Sequence, residues 1–200
     1  MADETARTRI LTLEEEIRLL EACDCDQRRH LRALVVCLLD TGLRLNEALT
    51  LTWDHVDLDN GLVSILAFNS KTATPRTVPV SGRLRRELER LLNERKMTES
   101  LKGDARVFGI ANNVNRSWRT ARKLADLDDV RIHDLRHTFG TRLDRSGFTQ
   151  AQIARSLGHK QVHTTFRYTN PDQDLLADVR NAVESFHGSP SEAIETESIN

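Results

Sequence analysis

The stretch RIHDLRHTFGTRLDRSGFTQAQIARSLGHKQVHTTFRYT, residues 131–169, decides how the chain is read. Its pattern predicts three successive helices, about Asp134–Arg145, Thr149–Leu157 and Gln161–Thr169. Gly158 is a natural helix stop, and His159 follows it at once. On the first helix His133 and Arg136 are i, i+3 neighbours and face the same way. His133 and His137 stand at i, i+4, which is half of a metal site. No Glu or third His completes the metalloprotease spacing, so no metal is expected. Tyr168 is the one tyrosine of the chain and lies nine residues after His159. A lone tyrosine is usually a packing residue. This one is flanked by Thr164, Thr165, Arg167 and Thr169 rather than by an apolar stripe.

Working outward, the rest is mostly helical. Thr12 and Glu15 form a T-x-x-E capping box, with Ile17, Leu19 and Leu20 as the apolar face behind it. A second helix is predicted from about Gln27 to Thr41, with Leu31, Leu34, Val35, Leu38 and Leu39 at helical spacing and Gly42 as its stop. A short third helix starts near Leu45. The period then changes. Trp53–Asp57 alternates, Asp59-Asn60-Gly61 is a turn, Leu62–Ala67 reads as a strand, and Thr77–Val80 as another, with Pro79 placing it at an edge. Helical spacing returns from Gly82 to Met97, with Leu84, Leu88, Leu91 and Leu92 on one side. It returns again from about Asn112 to Ala125. A last amphipathic helix opens at Asn170-Pro171 and carries Leu175, Val179, Ala182, Val183 and Phe186. The fold class is therefore mostly α with a small three-stranded antiparallel sheet (α+β). Residues 1–11 form an N-terminal segment, 12–187 the domain, and 188–200 a Ser/Glu-rich tail expected to be disordered.

Composition narrows the function. The chain has 200 residues and a net charge of −1, with no apolar run long enough to cross a membrane and no signal-peptide pattern. Cys23, Cys25 and Cys37 make no disulfide framework, and Cys37 on an apolar face reads as a small core residue. A cytoplasmic, reducing setting is expected. The near-zero net charge conceals an asymmetry. Residues 27–171 hold 15 acids and 25 bases, a net of +10, between two acidic ends. Of the 29 basic residues 24 are arginine, the side chain that forks onto phosphate. A basic body of this kind suits a nucleic-acid binder, although a solvated arginine-rich surface would look the same.

Set beside the opening stretch, Thr41-Gly42-Leu43-Arg44 places Arg44 at a helix start, and Lys71 lies in the link between the second and third strands. Arg44, Lys71, His133, Arg136, His159 and Tyr168 then form a complete set for phosphoryl transfer through a covalent protein intermediate. Tyr168 is the nucleophile; with an ordinary pKa of ~10 it needs a base and positive surroundings. Two arginines clamp the non-bridging oxygens as charge grows there, and the lysine protonates the departing sugar oxygen. No cofactor is needed.

These segments, TGLRLNEAL (41–49), SKTATPRTVPV (70–80), RIHDLRHTFGTRL (131–143) and LGHKQVHTTFRYT (157–169), resemble the catalytic domain of the tyrosine recombinases, the phage-integrase family, along residues 10–187. The resemblance implies that Arg44 and Arg136 clamp the phosphate and that Lys71 is the general acid for the 5′ oxygen. It implies His133 as acid/base partner of Tyr168, His159 as a hydrogen-bond donor to the phosphate, and Tyr168 as the residue that forms a 3′-phosphotyrosyl link. Glu47 would orient the pocket. The implied activity is site-specific DNA cleavage and rejoining for integration or excision of a phage or other mobile element in a bacterial cell. The implied partners are double-stranded DNA and, on it, a homo-tetramer of a protein that is monomeric in solution. Alternatives are a type IB topoisomerase-like cleavage and religation, a non-catalytic DNA-binding protein of the same fold, and a helical interaction module. Family members usually carry a helical clamp domain before this one. Residues 1–11 do not supply it, so weak, salt-sensitive DNA affinity is expected. Arg116, Arg119, Arg122 and Lys123 share adjoining turns and are expected to touch the DNA backbone. Arg76 rivals Lys71 as a phosphate contact, His137 is expected to be a core or supporting histidine, and His163 to lie at the surface. The helix over 171–186 is expected to dock either on its own domain or in trans on a neighbour.

Overall fold

The computed structural model describes residues 9–25, 28–66, 75–98, 105–110, 114–158 and 173–187. Its helices are α1 (Leu13–Ala22), α2 (Arg29–Thr41), α3 (Leu45–Leu49), α4 (Gly82–Thr98), α5 (Asn115–Leu124), α6 (Ile132–Arg145), α7 (Gln150–Leu157) and α8 (Gln173–Ser185). The strands are β1 (Val56–Asp57), β2 (Leu62–Ile65) and β3 (Arg76–Pro79), in the order β1-β2-β3 and antiparallel throughout. Mostly α with one small sheet is thus what forms. Pro79 pairs with Leu62 on the edge strand, the position where a missing N–H does least harm.

α2 is the centre of the molecule. Its predicted face is buried, but so are Ala33, Val36 and Cys37, so the helix is enclosed all round. An unbroken apolar run from Ala33 to Leu39 requires this. It packs chiefly against α6 and α4. Burial pushes the Cys37 thiol up to about 12, so Cys37 is an inert core residue.

α1 opens on the expected capping box, with Thr12 and Glu15 bonded reciprocally. Its inward face differs from expectation. Leu19 and Cys23 are buried, while Ile17 is 56% exposed. The next inward position belongs to Glu16, which is buried. Glu16 faces Arg83 of α4 and Arg142 of α6, and Arg83 also grips the fully buried Asp40 of α2. A charged network, invisible to hydrophobic periodicity, sets the rotation of α1.

A second departure is local. Trp53–His55 is a 3-10 turn rather than strand, leaving only Val56–Asp57 to pair. The Thr52 hydroxyl bonds the His55 ring at 2.8 Å and the His55 N–H reaches the Thr52 carbonyl, which closes a turn where alternation predicts extension. α5 begins at Asn115 and α2 at Arg29; residues 27 and 111–113, with which longer helices would start, lie outside the described residues.

α8 docks on its own domain. Leu175, Val179, Ala182 and Val183 pack on Phe139 and Leu143 of α6 and on Ile153 and Leu157 of α7. Arg180 donates to the Gly61 carbonyl, and His187 comes within 3.7 Å of Glu16 and 3.6 Å of Asp40. Residues 173–187 thus pack in cis within the single chain. The expected helix over 161–169, the Asn170-Pro171 cap and the acidic tail lie outside the described residues.

Candidate active site

Two helix ends build the site. α2 ends at Gly42 and α7 at Gly158, both left-handed, with φ of 62° and 68°. A Cβ on Gly42 would sit 2.4 Å from the Phe139 ring, and one on Gly158 would sit 2.7 Å from the Arg76 guanidinium. Only glycine fits either place. The turn at Gly42 delivers Arg44 to the start of α3.

There the backbone N–H of Arg44 donates to Glu47 Oε2 at 2.8 Å, and its Nη1 donates to Oε1 at 3.0 Å. Arg76, at the start of β3, forks onto the same carboxylate at 2.8 and 3.1 Å. Its Nε also donates to the Ser156 carbonyl at 3.1 Å. Arg136 rises from α6, buried, and donates to the carbonyls of Gly42 and, at 2.7 Å, Leu157. It therefore ties the two glycine-capped ends together. Among the described residues three guanidinium groups meet around one carboxylate, leaving a positive excess of two charges. Burial first, then Arg44 and Arg76, pushes Arg136 down to about 10, so it stays charged at neutral pH.

Burial alone would push the Glu47 carboxyl up. The bonds and charge of Arg76, then those of Arg44, reverse this and bring it down to about 2. A carboxyl held below its ordinary 4.5 stabilises the fold above that pH and ceases to do so as pH falls toward 2. The melting-temperature gap between the wild type and Glu47→Gln should therefore be widest near neutrality and close between about 4.5 and 2. A gap constant down to pH 2 would show that the carboxylate is not held by these arginines.

His133 lies exposed beside Arg136 on α6. Its ring meets that of His137 edge to face, with centroids 4.7 Å apart. Partial burial, then His137 and Arg136, lowers its pKa below 6.5, so it is neutral at pH 7 and able to accept a proton. His137 is exposed rather than in the core, and its ring packs against that of His133, the position of a supporting histidine. The i, i+4 spacing puts it on the same open face as its neighbour.

The structure thus brings together Arg44, Glu47, His133 and Arg136. Lys71, His159 and Tyr168, with His163, lie outside the described residues. Arg76 was weighed only as a phosphate contact; the structure seats it behind Arg44, buried against Glu47. The sequence signal for this was slight, an arginine opening an edge strand. On α5, Arg116, Arg119 and Lys123 are exposed, whereas Arg122 is half-buried and donates to the Val130 carbonyl at 3.0 Å. No group of three or more His, Cys, Asp or Glu able to hold a metal occurs among the described residues, nor does a helix long and apolar enough to cross a membrane.

The chain belongs to the phage integrase family, whose sequence profile matches residues 9–174. It is 30% identical over 168 residues to the tyrosine recombinase XerA of Saccharolobus solfataricus, covering 84% of this chain and 54% of that protein. It is similar to the crystal structure of XerA recombinase, with a TM-score of 0.66 at 26% identity over 86% of this chain and 64% of that one. It is also similar to the catalytic domain of bacteriophage HP1 integrase, with a TM-score of 0.59 at 28% identity over 78% and 83% of the two chains. The fold is that of a tyrosine recombinase catalytic domain. The chain spans little more than half the length of the curated relatives it matches.

Proposed function

We propose that this chain is the strand-transfer part of a site-specific DNA recombinase that integrates or excises a phage or other mobile element. The observation that carries the reading is the pocket of Arg44 and Arg136, with two charges in excess and a neutral His133 at its edge. Such a pocket is built to hold a phosphodiester and to stabilise it further as negative charge grows on phosphorus.

In the proposed reaction the Tyr168 hydroxyl attacks the phosphorus and passes its proton to His133. The bond from phosphorus to the 5′ oxygen breaks, and Lys71 protonates the departing oxygen. A 3′-phosphotyrosyl link and a free 5′-hydroxyl result. His159 donates a hydrogen bond to the phosphate. Because the phosphotyrosyl ester keeps the energy of the cleaved bond, a second strand's hydroxyl reverses the step without ATP, and the guanidinium groups supply the charge a metal would otherwise bring. Arg116, Arg119 and Lys123 on α5 contact the duplex backbone, and binding weakens steeply with salt. Arg122 reaches the backbone less readily, since part of its fork is spent on Val130. The protein acts in the bacterial cytoplasm as a monomer that assembles into a tetramer on DNA.

The test is covalent trapping. Nicked duplexes with randomised centres are incubated with the wild type and with Tyr168→Phe, denatured, and the DNA that remains attached to protein is sequenced. Attachment to the wild type at a defined site and none to the variant is expected. Attachment of equal amount to both would overturn Tyr168 as nucleophile. No attachment even with a generic DNA-binding domain fused ahead of Thr12 would overturn the catalytic reading.

A further inference from the structure

Glu47 has two claimants. Arg44, whose side chain is 29% exposed, takes one oxygen with its fork, and Arg76, 7% exposed, takes both. A carboxylate buried between two arginines turns toward whichever offers the better fork, because a bidentate pair is much stronger than a single bond. We infer that Arg76 is a positioning residue that occupies Glu47 so that Arg44 stays free for the phosphate, and that it sets the excess positive charge of the pocket. This rests on the recombinase reading for its consequence in catalysis, but not for its consequence in anion binding.

The geometry supports this role over that of a phosphate ligand. All three nitrogens of Arg76 are committed, Nη1 and Nη2 to Glu47 and Nε to the Ser156 carbonyl. The backbone of Gly158 closes over the guanidinium so tightly that a methyl group there would touch it. Arg44, by contrast, gives Glu47 one Nη1 bond and reaches toward the Gly158 carbonyl only at 3.5 Å, which leaves its fork largely open. Among the described residues the other charged group felt by the carboxylate is Arg136, which donates to the Gly42 and Leu157 carbonyls rather than to Glu47. Without Arg76, Glu47 would recapture Arg44 with both oxygens. One cation would then be lost and Arg44 drawn onto Glu47, and the pocket would fall from an excess of two charges to one.

The prediction is a rescue by a second substitution. Arg76→Met keeps the length and packing of the stem but removes the charge. It should slow formation of the Tyr168-linked DNA complex in single-turnover trapping by about 100-fold, the size of losing one preorganised charge donor. Adding Glu47→Gln removes the competing charge, returns the excess to two, and should recover about 10-fold of that loss. The rise in melting temperature caused by sulfate, a doubly charged stand-in for the phosphoryl group, should follow the same order: present in the wild type, lost in Arg76→Met, regained in the double variant. If Arg76→Met does not fold, Arg76→Lys serves, since one ammonium cannot hold both oxygens; a loss of about 10-fold is expected, again relieved by Glu47→Gln.

An Arg76→Met protein that traps DNA and responds to sulfate like the wild type would overturn the inference. So would a folded double variant no better than the single one in both measurements, which would make Arg76 a strut between β3 and α7. If the wild type traps no DNA even with the fused DNA-binding domain while the sulfate responses follow the stated order, the recombinase reading fails and this inference stands.

Discussion

Arg83→Ala should unfold much of this protein at moderate urea concentrations. Arg83 sits in the first turn of α4 and donates through Nε to both oxygens of Asp40, at 2.8 and 3.0 Å, and through Nη1 to Glu16. Asp40 is fully buried and Glu16 nearly so. Ser81 and Arg142 complete the surroundings, and His187 adds a weak third contact. Burial would raise the Asp40 carboxyl, yet Arg83 holds it below the ordinary carboxylate range. Removing the arginine leaves two ionised carboxylates in the interior with Arg142 as the main cation. Breaking a buried pair from one side costs about 3–5 kcal/mol, because the abandoned charge cannot return to water. A domain of this size has a net stability of only about 5–15 kcal/mol, so the loss is a large part of the whole. Urea melts followed by circular dichroism measure it. Adding Asp40→Asn should recover part of the loss, and a single-variant loss under about 1 kcal/mol would mean that water already reaches the carboxylates.

Arg136→Ala should abolish strand cleavage while leaving most DNA affinity in place. Its guanidinium does two jobs. In the proposed reaction it supplies positive charge to the phosphoryl group, and in the structure it pins the Gly42 and Leu157 carbonyls, hence the two chain ends from which Arg44 and His159 depart. Loss of a preorganised donor costs about 100- to 1,000-fold in rate, and the additional loosening of Arg44 places this variant at the upper end. Arg136→Lys should fall nearly as far, since one ammonium cannot bridge two carbonyls and face a phosphate. Affinity for duplex DNA is spread over many backbone contacts and should drop by less than about 10-fold. Single-turnover trapping set beside salt-dependent binding separates the two effects. Equal losses in both would make Arg136 a binding residue only.

Local order was largely legible. The cap at Thr12, the glycine stops at 42 and 158 and the edge proline at 79 are short-range signals, and each stands where its chemistry predicts. Arg44 stands at the helix start, and His133 and Arg136 on the helix face, that their spacing predicts, whereas Glu47 is implied by the family resemblance alone. What sequence did not disclose is who pairs with whom across the chain. Arg76 with Glu47 and Arg83 with Asp40 are contacts between residues 29 and 43 positions apart, and no periodicity encodes them. The exposure of Ile17 follows from the same blindness. The burial of Glu16, decided by Arg83 and Arg142, turns α1 away from the rotation its leucines suggest.

The placement of α8 has a consequence in time. Glu16 and Asp40 leave the ribosome early, Arg83 and Arg142 later, and His187 later still. The apolar bed of Phe139, Leu143, Ile153 and Leu157 likewise waits for Leu175 and Val179. A growing chain therefore answers both acids once Arg83 and Arg142 are made, but carries an open apolar surface until α8 follows. The arginine pocket between α2 and α7 is assembled beside an apolar bed that only α8 covers. A nascent or truncated chain lacking α8 is thus a liability for aggregation.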